Sequence, residues 1–138
     1  MSNTENTKPI FPKGDRTSSN YFTGSAWVKN LVPGDDVLKT VIGNVVFEPG
    51  ARNNWHRHGG GQILIVTDGL GYYQEKGKPA QLLRPGDVVQ VPPALVHWHG
   101  AGPAQSFTHI AINPNMQDGV VEWLEPVTEK EYMEAVGG

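Results

Sequence analysis

Short β-rich runs recur along this chain at 26–32, 40–48, 62–67, 70–75, 80–84, 87–91, 95–99, 105–112 and 119–124, and every gap between them holds glycine or proline. Three of the connections share one turn chemistry: Val32-Pro33-Gly34-Asp35, Glu48-Pro49-Gly50-Ala51 and Arg84-Pro85-Gly86-Asp87. Proline presets φ at the second turn position, and glycine accepts the positive φ that a type II turn needs at the third. Glu75-Lys76-Gly77-Lys78 has the composition of an exposed hairpin tip. Many short strands with regular punctuation make an all-β sandwich or barrel. The runs Ile63–Val66 and Val88–Val91 are almost continuously apolar, and their shortness and β-branching favour strand over buried helix. Only the C-terminus reads as helix. There Thr128 and Glu131 have capping-box spacing, and Val127 and Tyr132 occupy the staple positions.

The 138 residues suit one domain with a real core. Residues 1–20 are expected to form a flexible or extended arm, in the second case docked on a partner subunit, and 21–138 a single domain. A formal charge of −3 leaves no electrostatic footprint for nucleic acid or an anionic membrane surface. No apolar run reaches membrane-spanning length, and the polar start Ser2-Asn3-Thr4-Glu5-Asn6 lacks a secretory core. There is no cysteine, hence no disulfide frame and no thiolate chemistry. A cytoplasmic location is the expectation.

All five histidines, His56, His58, His97, His99 and His109, fall in one stretch of the chain. His56-Arg57-His58 and His97-Trp98-His99 have period-two spacing, which on a strand points both imidazoles of a pair to one face. A single such pair is weak evidence for a metal or acid–base site. Two pairs and a fifth histidine on a further strand-like run are much stronger.

The longer spacing is more specific still. Gly50, five residues, His56, one residue, His58, three residues, Gln62, six residues and Gly69 make one block. Gly86, five residues, Pro92, then Ala94 and, after two more, His97 make another. These blocks resemble the paired motifs of the cupin superfamily, with Gln62 in place of the usual acid, Ala94 in place of a glycine and Ala101 in place of an asparagine. Phe47–Arg52, Gly61–Val66, Arg84–Val89, His97–Gly100 and Thr108–Ile112 are similar to the small single-domain cupins labelled carboxymuconolactone-decarboxylase-like, a group that includes the cupin-type hydroxynitrile lyases. The similarity runs from about residue 21 to 134.

The resemblance implies a cupin fold, a double-stranded β-helix or jelly-roll barrel, with a short C-terminal helix. It implies one divalent transition metal held by His56, His58, Gln62 and His97, manganese first, with iron, nickel, zinc and cobalt open by donor type. It places His99 and His109 as catalytic acid or base candidates and suggests a homodimer. Three imidazoles and an amide oxygen are a neutral donor set, suited to Lewis-acid work on a small carbonyl or hydroxy compound. Arg52 is either a binder of an anionic substrate or half of a surface ion pair. Gly59-Gly60 replaces the proline and larger apolar residue usual after His58, which is expected to widen the pocket mouth and loosen the ligand loop. Trp27, Trp55, Trp98 and Trp123 are expected in core or interface, and Glu48, Glu75 and Asp87 at turns or the solvent face. A hydroxynitrile-lyase-like activity leads. Oxygen-dependent cleavage, which requires dioxygen uptake, and a non-enzymatic ligand- or metal-binding module are the alternatives.

Overall fold

The computed structural model describes residues 9–137, so the first eight residues of the expected arm lie outside the described residues. The strands, in chain order, are β1 (Asp15–Arg16), β2 (Phe22–Thr23), β3 (Ala26–Val32), β4 (Val41–Phe47), β5 (Arg52–Asn53), β6 (His56–His58), β7 (Gln62–Gly69), β8 (Gly71–Glu75), β9 (Gln81–Leu83), β10 (Val88–Val91), β11 (His97–Ala101), β12 (Phe107–Asn113) and β13 (Val121–Trp123). One helix, α1 (Glu129–Gly137), follows them. All nine runs anticipated from composition carry a strand. β11 starts two residues later than expected because Pro92 through Leu95 form a turn. Its Leu95 N–H donates to the Pro92 carbonyl at 3.3 Å, and Ala94 sits at φ +64°. That left-handed φ is one glycine adopts without strain, which accounts for the glycine of the usual motif.

The strands form two sheets. One has the order β1-β3-β4-β12-β7-β10, the other β13-β6-β11-β5-β2, with β8 on the free side of β11 and β9 beyond it. Every pairing is antiparallel. Side chains alternate strictly along β7 and β12, so Gln62, Leu64 and Val66 turn inward with Phe107, His109 and Ala111 while their neighbours face outward. Phe47, Leu64, Val66, Phe107 and Ala111 lie in the apolar core, which abuts the histidines: the Phe47 ring is 5.4 Å from that of His109.

The turn and cap chemistry is as read from the chain. Gly34, Gly50 and Gly86 have φ of +89°, +82° and +95°. Thr128 Oγ1 accepts from the Glu131 N–H at 3.0 Å, while Glu131 Oε1 accepts from the Thr128 N–H at 2.9 Å. Val127 and Tyr132 are buried with Trp55 and Trp98 in a second apolar cluster, and the Tyr132 hydroxyl donates to the Ala101 carbonyl at 2.8 Å. The helix is thus fastened to the end of β11, the strand that carries two histidines.

The Gly59-Gly60 pair does the opposite of what its small size suggested. A Cβ on Gly59 would sit 2.1 Å from the Asp118 carbonyl oxygen, and one on Gly60 would sit 2.4 Å from that of Pro114. Asn115 Nδ2 also donates to the Gly60 carbonyl at 3.2 Å. The missing side chains therefore let the backbone after His58 press against 114–119 and hold this loop, rather than loosening it. Gly59→Ala or Gly60→Ala should lower stability by about 1–3 kcal/mol through overpacking against backbone that cannot yield. Gly137→Ala, which meets nothing within 4 Å, should leave the urea midpoint within error of wild type. An unshifted midpoint for both Gly59→Ala and Gly60→Ala would refute the clamp.

Candidate metal centre

His56 and His97 are direct cross-strand partners of β6 and β11. Facing residues of an antiparallel pair share a face, and the two rings lie 4.2 Å apart. Each Nδ1 is held by the main chain two residues back: His56 to the Asn54 carbonyl at 2.8 Å, His97 to the Leu95 carbonyl at 2.9 Å. A carbonyl only accepts, so the proton of each neutral ring sits on Nδ1, and Nε2 presents a lone pair. His58, two residues along β6, turns the same way, its ring 5.0 Å from that of His56. Its Nε2 is buried with no hydrogen-bond partner. Gln62 opens β7 from the other sheet and brings Oε1 to 3.0 Å from His97 Nε2.

His99 shares the parity of His97. Its backbone N–H donates to Asn53 Oδ1 at 2.9 Å, and its ring Nδ1 lies 2.9 Å from Nε2 of His109, which arrives on β12. Among the described residues, the trio whose ring nitrogens all lie within 4.8 Å of one another is His56, His97 and His99. His58, half-buried at the end of β6, stands slightly outside that triplet. Tertiary structure therefore brings the five imidazoles and Gln62 near one another but not Arg52, and it is His99 rather than His58 that completes the tight trio with His56 and His97.

Burial dominates the titration of these groups. It lowers His58 and His97 to about 4 and His109 to about 3, and it holds His56 and His99 well below the ordinary imidazole value. Repulsion between neighbouring imidazoles adds to the effect at His56, His58 and His99. All five rings are neutral at pH 7. Neutral rings with anchored Nδ1 atoms, an orphaned buried Nε2 and a facing amide oxygen fit a divalent transition ion.

A cavity of about 210 Å³ opens beside these groups. Asn53, His56, His58, Gln62, His99 and His109 supply its polar side, and Phe22, Val45, Ala111 and Trp123 its apolar side. A larger groove of about 480 Å³ lies between the Gly77 hairpin tip and α1. It holds no imidazole, and its Lys76 and Glu131 pair with each other at 3.7 Å.

Arg52 takes no part in the cavity. Its buried guanidinium donates to the Val127 carbonyl at 3.1 Å, pairs with Glu129 at 3.4 Å and lies over the Tyr132 ring. It is a tie between barrel and helix, since its side of β5 faces the C-terminal segment. Of the four tryptophans, Trp55 and Trp98 are core, but Trp123 walls the cavity 4.9 Å from the His56 ring because β13 pairs with β6. Asn53, Asn113 and Trp123 were not singled out as site residues. Asn113 had a usable signal, the parity it shares with His109 on one strand; the place of Trp123 depends on a pairing across more than sixty residues.

Among the described residues no helix is long and apolar enough to cross a membrane. The family model described as Cupin domain matches residues 43–107, a span that includes every histidine except His109. The chain is 41% identical over 114 residues to a protein of Granulicella tundricola named (R)-mandelonitrile lyase, covering 83% of this chain and 87% of the relative. It is 54% identical to a cupin-like protein of Thermotoga maritima of known crystal structure, over 95% of this chain and 99% of the other, with a TM-score of 0.93. A cupin-2 domain of Rhodospirillum rubrum shares the fold at 17% identity and a TM-score of 0.68, over 91% of this chain and 82% of that one. The carboxymuconolactone-decarboxylase label finds no support in these likenesses. Barrel, motif spacing and relatives agree, and the chain belongs to the cupin family.

Proposed function

We propose that this protein is a metal-dependent lyase that splits a small cyanohydrin of the mandelonitrile type into an aldehyde and hydrogen cyanide, and joins them in reverse. The observation that carries the reading is the His99–His109 pair, hydrogen-bonded at 2.9 Å beside the lone pairs of His56 and His97 and lining a partly apolar cavity. The relative named (R)-mandelonitrile lyase supports the substrate class.

His56, His58, Gln62 and His97 would hold the ion, with manganese first by resemblance. His58 fits a ligand role because among the described residues its buried Nε2 has no other partner, whereas the ring of His99 is already engaged by His109. A bound divalent ion supplies Lewis-acid stabilisation of negative charge on the substrate oxygen. His99 takes the hydroxyl proton on Nε2, and its Nδ1–H donates to His109 Nε2, which steadies the imidazolium that forms. As the oxygen becomes a carbonyl, the bond to the nitrile carbon breaks and its electron pair leaves with cyanide. Cyanide recovers the proton from His99 and departs as hydrogen cyanide. Phe22, Val45 and Trp123 shelter the aryl or alkyl group and limit water near the reacting bond.

His99→Ala and His109→Ala should each cut cyanohydrin cleavage by about 100-fold or more, the lower range for losing a general base. Metal content should stay at the wild-type level by elemental analysis. Rates within twofold of wild type would remove the pair from the chemistry. Wild-type protein loaded in turn with manganese, iron, cobalt, nickel and zinc that cleaves no mandelonitrile-type substrate would sink the lyase reading.

The neutral cluster also dictates an acid response. Folded-state values lie below the unfolded imidazole value near 6.5, so the unfolded chain binds more protons at lower pH. Stability of the metal-free protein should therefore be intact above about 6.5 and fall as pH drops through about 4. Urea midpoints measured between pH 8 and 4 check this, and a midpoint that rises on acidification would contradict it.

A further inference from the structure

Gln62 faces His97 with its oxygen, and something must keep it so. His97 gives its Nδ1 proton to the Leu95 carbonyl, so Nε2 is an acceptor, and Gln62 Oε1 stands 3.0 Å from it. Two acceptors at that distance repel unless a cation lies between them. Turning the amide over would relieve the repulsion by aiming its NH₂ at His97, and the same turn would remove the oxygen from the metal centre. The amide nitrogen as placed donates to Asn113 Oδ1 at 3.0 Å.

Asn113 ends β12 one step beyond the Ile112↔Ile63 pair, and Gln62 opens β7 one step before it. It shares the inward parity of His109 and lines the same cavity. Among the described residues, no other hydrogen-bond partner of the Gln62 side chain is found apart from His97.

We infer that Asn113 is a positioning residue for metal binding: by accepting from Gln62 Nε2 it holds the amide oxygen, rather than the NH₂, toward the histidines. The inference rests on the metal-centre reading above. A carboxylate in place of the amide has two oxygens and no donor, so it needs no such orientation, and this gives the inference a specific signature.

The test is Mn(II) affinity of the full-length protein, read from free Mn(II) by electron paramagnetic resonance. The variants are Asn113→Leu, Asn113→Asp, Gln62→Glu and the double variant Gln62→Glu/Asn113→Leu. Asn113→Leu should weaken Mn(II) binding about tenfold or more, the scale of losing a partner that orients a ligand. Asn113→Asp can only accept, and should bind at least as tightly as wild type. In the Gln62→Glu background, Asn113→Leu should cost less than about threefold, because nothing is left to orient. Thermal unfolding of the metal-free forms separates this from simple damage, since an orienting role predicts a loss of affinity out of proportion to any shift in midpoint. An equal loss in the glutamine and glutamate backgrounds, or wild-type affinity for Asn113→Leu, would overturn the inference. If wild-type protein binds neither Mn(II) nor, in parallel titrations, Fe(II), Co(II), Ni(II) or Zn(II), the metal-centre reading itself fails and this inference with it. Binding by wild type with no effect of Asn113→Leu fails the inference alone.

Discussion

The pairing of β6 with β11 is the contact on which the site depends. It sets His56 directly opposite His97, and through the alternation of strands it sends His58 and His99 to the same side. A one-residue slip of either strand would turn its own two rings outward, and it would bring Arg57 of β6 or Trp98 of β11 to the cavity face. The register is held from several directions. β13 pairs with β6 from Val121 to Trp123, β8 pairs with all of β11, and the Ala94 N–H donates to the His58 carbonyl at 2.8 Å. The helix then closes that end of the sheet through Tyr132 and Arg52.

The polar cluster survives burial because its members stay neutral and share hydrogen bonds. Five imidazoles close together would be untenable as cations, and burial lowers their proton affinity until they are not. Backbone carbonyls satisfy one nitrogen of His56 and of His97, and Asn53 and His109 engage His99. Among the described residues, the fully buried ring nitrogens left without a partner are His58 Nε2 and His109 Nδ1. Buried unpaired groups cost stability and so tend to mark function. The first belongs to the proposed metal centre, and the second to the proposed acid–base pair.

Several residues that look alike in sequence part company in space. Arg52 and Asn53 are adjacent on β5, yet one ties down the helix and the other holds His99. Alternation alone separates them. Gly59 and Gly60 suggest slack and instead allow close backbone contact with 114–119. Trp98 and Trp123 are both strand tryptophans, but the first is sealed under α1 and the second walls the cavity.

Much of this was legible in the chain. The Pro-Gly turns, the runs between them and the capped terminal helix were local features, and their φ angles and cap bonds follow from residue type. The His56/His58 and His97/His99 pairs were also visible, because period-two spacing survives any strand arrangement, while Gln62 was reached through the resemblance to the cupin motif. The very short strands β1, β2 and β5 were not, since two residues carry no pattern and exist only as partners of distant segments. Which imidazoles stand closest, where Arg52 points, and that Asn113 meets Gln62 were likewise decided only by the tertiary structure. Sequence records which side chains share a face of their own strand; only the pairing of strands far apart in the chain decides which faces meet.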